Sequence, residues 1–149
     1  MTFDGKRFIF QGSCEYILTQ DHCRGRNGTF LIKVQNIPCG VSGVTCTKST
    51  TVMLDDTIIK MERGEGVEVT TYAGTPLTST DTNHYRIDHG FFFLTLTTDI
   101  GLTVLWDYGT RVYVTLDPKF KGNEPLQNKI ILQAKQRKLI IFSPKTLVL

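Results

Sequence analysis

The sequence predicts an all-β protein built from antiparallel hairpins, with little or no helix, and three observations carry that reading. Strand-like runs dominate the chain, and no long window shows a helical period. The runs are separated by turn signals, among them Asp4-Gly5, Asn27-Gly28, Asp55-Asp56 and Gly64-Glu65-Gly66. The best hairpin pairs residues 102–106 with residues 110–116 around the short Gly-containing turn Asp107-Tyr108-Gly109.

Taken in order, Lys6-Arg7-Phe8-Ile9-Phe10 reads as a strand after Asp4-Gly5, Gln11-Gly12-Ser13 turns, and residues 14–18 return. Tyr16, Leu18 and Gln20 fall on one face of that second run. Asn27-Gly28 turns into a strand over residues 29–34. Residues 46–54 and 57–62 form a hairpin about Asp55-Asp56, and residues 67–72 follow the next glycine turn. Residues 75–83 read as a polar loop. Residues 84–89 lead into a strand over 91–97, in which Phe91, Phe92 and Phe93 serve as core or sheet-packing residues. In the last hairpin Val112, Val114 and Leu116 share a face, and Trp106 anchors the core.

At 149 residues the chain has one domain's length and room for a core. A hydrophobic content of 40% with 21% charged residues argues against disorder. No run reaches the ~18 apolar residues of a membrane-spanning helix. Met1 leads straight into Thr2-Phe3-Asp4 with no secretory signal, so the chain reads as an excised domain or an incomplete gene model. The net charge of +3 is uneven: from Lys119 onward seven Lys or Arg face one acid, which leaves the preceding body mildly acidic. A basic balance can indicate nucleic acid or an anionic membrane, but a basic tail says little about the folded body.

The chemistry-bearing residues are few. Cys39 and Cys46 bracket a small-residue loop whose Gly40 and Gly43 let the chain fold back, so a disulfide across it would be local. A zinc site there lacks the C-x₂-C spacing and a nearby His. Asn27-Gly28-Thr29 is the single N-x-[ST] sequon, a glycan site if the chain is exported, although Asn-Gly also serves the turn. Asp55 with Asp56, and Glu65 with Glu68, lie on expected turns and solvent faces rather than in a cleft suited to acid–base work. On a strand His84 and Asp88 share a face while His89 points the other way, and no nucleophile elbow accompanies them. An enzyme would have to be built on Asp107, His84 or His89; no catalysis is expected.

The order of the parts carries a resemblance. Phe3-Asp4-Gly5 and an aromatic strand come first, followed by G-x-C-x-Y-x-L over residues 12–18 and Cys23 after a short acidic turn. Gly28-Thr29-Phe30, the Cys39/Cys46 pair and LTVLWDYGTRVYVTL over residues 102–116 follow in the same order. Over residues 2–123 the chain resembles a von Willebrand factor type D domain, nearest to those of gel-forming mucins and otogelin-type glycoproteins. The resemblance implies antiparallel hairpins in two layered sheets, a β-sandwich. It implies a Cys39–Cys46 bond, worth on the order of 2 kcal/mol through restriction of the unfolded chain. It gives Cys14 and Cys23 partners in a downstream cysteine-rich segment, and it sets Asp4 beside a calcium ion whose other ligands lie downstream.

The family pattern holds through residue 123 and then stops. Residues 124–149 contain neither Cys nor Asp, where the family continues into a CGLCG-type segment and an acidic calcium loop. Cys14 and Cys23 are therefore expected to be unpaired or differently paired. Asp4 is at most part of a calcium site, since calcium takes about six to eight oxygens, and its expected role in this chain is to cap the Asp4-Gly5 turn. No cofactor is expected in this chain, with calcium reserved for the complete domain. The tail alternates basic residues with β-branched apolar clusters, which suits an added edge strand or aggregation. A frame or splice artefact is its leading explanation.

The expected function is a non-catalytic structural or assembly module of a secreted extracellular-matrix or mucus glycoprotein, truncated before its cysteine-rich and calcium-loop segment. Its expected partners are other extracellular glycoprotein domains or copies of the parent protein. The alternative is a cytosolic β-domain whose basic tail binds an anionic partner. That alternative requires free thiols and a salt-sensitive association that tracks the tail.

Overall fold

Among the described residues there are ten strands, several of them joined by tight turns. The computed structural model describes residues 12–21, 28–41, 43–78, 82–118 and 147–148; Asp4, Cys23 and Asn27 lie outside them. The first five strands are β1 Glu15–Gln20, β2 Phe30–Pro38, β3 Thr45–Leu54, β4 Thr57–Glu62 and β5 Gly66–Thr71. They form one sheet in sequence order. The second sheet holds β6 Tyr85–His89, β7 Leu94–Thr98, β8 Leu102–Trp106, β9 Val112–Leu116 and β10 Leu147–Val148, ordered β10-β9-β8-β7-β6. Every pairing is antiparallel, and no α-helix occurs among the described residues. The all-β, two-sheet architecture is the one the sequence predicts.

Period-two patterning builds the core. The inward residues Ile32, Val34, Val52, Ile59 and Met61 of the first sheet join Leu94, Leu96, Val104, Trp106, Val112 and Val114 of the second in one buried cluster. Each large apolar side chain so buried contributes about 1.5–3 kcal/mol. Alternation breaks where the ladder does. The β1–β2 register shifts between Ile17 and Thr19, and the consecutive residues Leu18 and Thr19 are both buried. A second shift, between Gln35 and Asn36, falls near the far end of β2.

Several boundaries differ from the sequence reading. β2 runs to Pro38, past the expected 29–34, because its ladder with β3 continues to Pro38↔Thr45. Thr110 and Arg111 belong to a turn rather than to β9. A single oxygen of Asp107 accepts the backbone N–H groups of Gly109, Thr110 and Arg111 at 3.0, 2.9 and 2.8 Å, which holds them out of the ladder. The left-handed position of this turn is Tyr108 (φ 59°), not its glycine.

The placement of Phe91 and Phe92 in a core strand is corrected. Gly90 N donates to Phe93 O at 2.9 Å, closing a tight turn with Phe91 and Phe92 at its tip, 92% and 72% exposed. The close approach needs a glycine: a Cβ on Gly90 would sit 2.8 Å from the Phe93 carbonyl oxygen. Phe93 does pack, edge-on against Tyr113. The tail supplies β10, whose Leu147 and Val148 pair with Val114 and Tyr113.

Candidate functional site

The end of the first sheet where β1 begins, β2 ends and β3 starts brings together the cysteines that lie among the described residues. Cys39 and Cys46 are joined by a disulfide with a Cα–Cα distance of 5.7 Å. Ile37 lies opposite Cys46, and Cys39 N donates to Val44 O at 2.8 Å, so the bond runs diagonally across the closing ladder. Gly40 and Gly43 take φ of 71° and 73°, the left-handed region that lets a loop this short reverse. The loop carries Val41 fully into solvent and leaves Val44 exposed.

Cys14 sits at the same end. Its carbonyl accepts Asn36 N at 2.9 Å, and Gly12 N donates to Thr45 Oγ1 at 3.2 Å, which ties the entry of β1 to β2 and β3. The Cys14 thiol is free and exposed. Beside it, burial pushes the Tyr16 phenol up, with Cys14 as the lesser contributor. The chain thus presents a closed disulfide and an open thiol on one sheet end. Cys23, Asn27 and Asp4 lie outside the described residues.

Asp21, at the exit of β1, holds the other side of that connection. Its carboxylate accepts Thr29 N at 2.8 and 2.9 Å, Phe30 N at 3.0 Å and the Thr29 hydroxyl at 2.6 Å. Asp21 and Thr29 are therefore pinned together. Sequence reading missed this role; an aspartate eight residues before Thr29 gives no local signal.

It also missed Glu62, a buried carboxylate on β4. Lys48 Nζ approaches Oε1 at 2.7 Å, and Lys60 Nζ contacts Oε2. Hydrogen bonds from Lys48 and Lys60 hold the Glu62 carboxyl below its ordinary range despite its burial, and the bond to Glu62 raises Lys60. Ser49, opposite Glu62 in the ladder, donates to Gln35 Oε1 at 3.3 Å and extends this polar row toward β2.

The remaining candidate residues do not converge. Asp55, Asp56, Glu65 and Glu68 are exposed, Asp55 in a turn at φ 43°. His84 Nδ1 lies 3.1 Å from Asp99 Oδ2 on the surface, rather than near Asp88, which takes the Arg86 Nε at 2.9 and 3.0 Å. Asp107 serves its own turn, as described above. Among the described residues no group of three or more His, Cys, Asp or Glu is placed to hold a metal ion. No helix among them is long and apolar enough to cross a membrane.

Comparison with known proteins agrees with this geometry. Residues 1–124 match the family model of the von Willebrand factor type D domain. SCO-spondin of Mus musculus is 45% identical over 130 residues, covering 82% of this chain and 2% of that protein. Mucin-5AC of Homo sapiens is 38% identical over 128 residues, with 82% and 2% covered. Mucin-2 of Rattus norvegicus is 35% identical over 127 residues, with 83% and 8% covered. The chain thus spans a small fraction of the length of the relatives it matches. With two antiparallel sheets, the clasped Cys39–Cys46 loop and a family match over most of its length, the chain belongs to the von Willebrand factor type D domain family.

Proposed function

We propose that this chain is a non-catalytic structural module of an extracellular glycoprotein, acting in assembly rather than in chemistry on a small substrate. The observation that carries the reading is the Cys39–Cys46 disulfide. Disulfides persist in oxidising compartments, and this one closes a surface loop that has no redox-motif spacing. The similarity to mucins and SCO-spondin supports the same assignment.

In this reading residues 2–123 are a partial D domain and residues 124–149 a divergent tail. The open thiol of Cys14, together with Cys23, completes its bonding with cysteines outside this sequence, in other domains or copies of the parent chain. Asn27 carries a glycan, and Asp4 contributes one oxygen to a calcium site completed elsewhere. The test is export behind a borrowed secretion signal. The chain should leave the cell folded, with a glycosidase-sensitive mass shift that Asn27→Gln abolishes. Retention of a well-folded chain would count against an extracellular role, and secretion without the shift would remove the glycan from the proposal.

A further inference from the structure

The outer strands are β1 and β5 in the first sheet and β10 and β6 in the second. β5 is covered by its own chain, since Leu77 N donates to Val69 O at 2.7 Å and Thr70 bridges Pro76. β9 is covered by β10. β6 is an edge strand whose free side follows from its ladder. Gly90 N bonds Phe93 O, and Asp99 N bonds His84 O, so residues 84, 86, 88 and 90 exchange hydrogen bonds toward β7. Tyr85, Ile87 and His89 turn their backbone groups the other way. Tyr85 is closed off by Thr82, whose N–H and hydroxyl donate to Tyr85 O at 2.8 and 3.3 Å. The N–H and C=O groups of Ile87 and His89 make no hydrogen bond among the described residues, which leaves a two-residue template for another strand.

We propose that this edge pairs with the β6 edge of a second copy of the chain, antiparallel about a two-fold axis at Asp88. In that register Ile87 exchanges two backbone hydrogen bonds with His89 of the second copy, and His89 does so with Ile87, four bonds in all. The surface chemistry selects a copy of this chain over an arbitrary strand. Arg86 and Asp88 stand exposed on one face of β6, with Tyr85 and Ile87 buried on the other. Across the axis the two Asp88 side chains face each other directly, and each Arg86, already bonded to its own Asp88, becomes the diagonal neighbour of the other copy's Asp88, so two Arg–Asp diagonals offset the one like-charge contact. Phe91 and Phe92, edge-on at 4.9 Å, stand at the end of the edge toward residues 84 and 85 of the second copy. Their exposed rings would lose apolar surface to water on pairing. The interface is small, so the association is weak and reversible.

This surface suits the assembly role proposed above but needs no cysteine, so the two ideas fail separately. The test is sedimentation velocity of the 149-residue chain over a concentration series with reductant present, joined to hydrogen exchange at low and high concentration. The expected result is a reversible dimer, with the Ile87 and His89 amides protected as the dimer fraction grows. Asp88→Arg or Arg86→Asp alone places four like charges around the axis and should weaken the dimer roughly tenfold. The double variant Arg86→Asp/Asp88→Arg restores the two opposite-charge diagonals and should restore the dimer. His89→Pro removes an outward N–H and should abolish it; circular dichroism shows whether each variant keeps its fold. A monomer at every concentration overturns the proposal, as does a dimer indifferent to the single charge reversals. A dimer that forms only when reductant is left out overturns it too, while leaving the disulfide-based assembly role standing.

Discussion

The Tyr108 hydroxyl donates to the Gly90 carbonyl at 2.8 Å, so the β8–β9 turn braces the β6–β7 turn eighteen residues away in sequence. Asp107 fixes the first turn through three backbone N–H groups, Tyr108 leans its ring toward Trp106 at 6.3 Å, and its hydroxyl reaches the second turn. Tyr108→Phe keeps the ring and loses the bond. It should cost about 1 kcal/mol in urea unfolding, the net worth of one intramolecular hydrogen bond. No change in stability would mean that the brace is idle in solution.

Gly90 tests the turn from the other side. A methyl group there meets a backbone oxygen rather than a side chain that can swing away. Gly90→Ala should therefore destabilise by about 1–3 kcal/mol, in the range of overpacking, although alanine is otherwise favoured over glycine in strands. A neutral or stabilising result would show that the turn opens at little cost.

Glu62 gives the domain an acid-side dependence. Its carboxyl is held below the ordinary 4.5 in the folded chain, so its contribution is present at neutral pH and lost as pH falls through the folded value. Lys60 is shifted upward, so its share persists below its ordinary 10.5 and disappears only as pH rises through the folded value. Both lysine side chains are 41% exposed, and solvent screening limits the pair energies. Glu62→Gln should cost about 1–2 kcal/mol at pH 7, and the difference from the parent chain should shrink toward zero in melts below pH 4.5. A gap that stays constant with pH would assign Glu62 a packing role instead.

Thr50 runs opposite to these. Its side chain is fully buried between the sheets, and Oγ1 has no hydrogen-bond partner among the described residues. Thr50→Val replaces an unsatisfied hydroxyl with a methyl of similar shape and should stabilise by about 1 kcal/mol. A loss of stability on thermal melting would reveal a water or a partner at that hydroxyl.

Local signals made the first sheet legible. Asp55-Asp56 and Gly64-Glu65-Gly66 bound β4 at Thr57–Glu62, the limits read from the sequence, because the turn residues sit beside clean alternation. The buried place of Trp106 was legible for the same reason. Phe91 and Phe92 were misread because three consecutive aromatics look like a buried strand. The ladder from His84↔Asp99 to Gly90↔Phe93 sets where the hairpin closes, and that register is not a local property. Glu62 with Lys48, and Asp21 with Thr29, depend on pairing across strands and so left no trace in composition. In the candidate site the Cys39–Cys46 pair was legible as a short bracketed loop. That Cys14 shares its sheet end follows from the β1–β2–β3 order, which turn residues alone do not specify.

The proposed role puts this domain in an oxidising compartment, with the Cys39–Cys46 bond closed within it and Cys14 open to a partner. The most direct measurement is a thiol map of the exported 149-residue chain, alkylated without reduction and read by mass spectrometry. Cys39 should be bonded to Cys46, with Cys14 alkylated or held in a mixed disulfide with a second molecule. Four alkylated cysteines in folded, soluble protein would contradict it and would turn attention to the reducing interior of the cell.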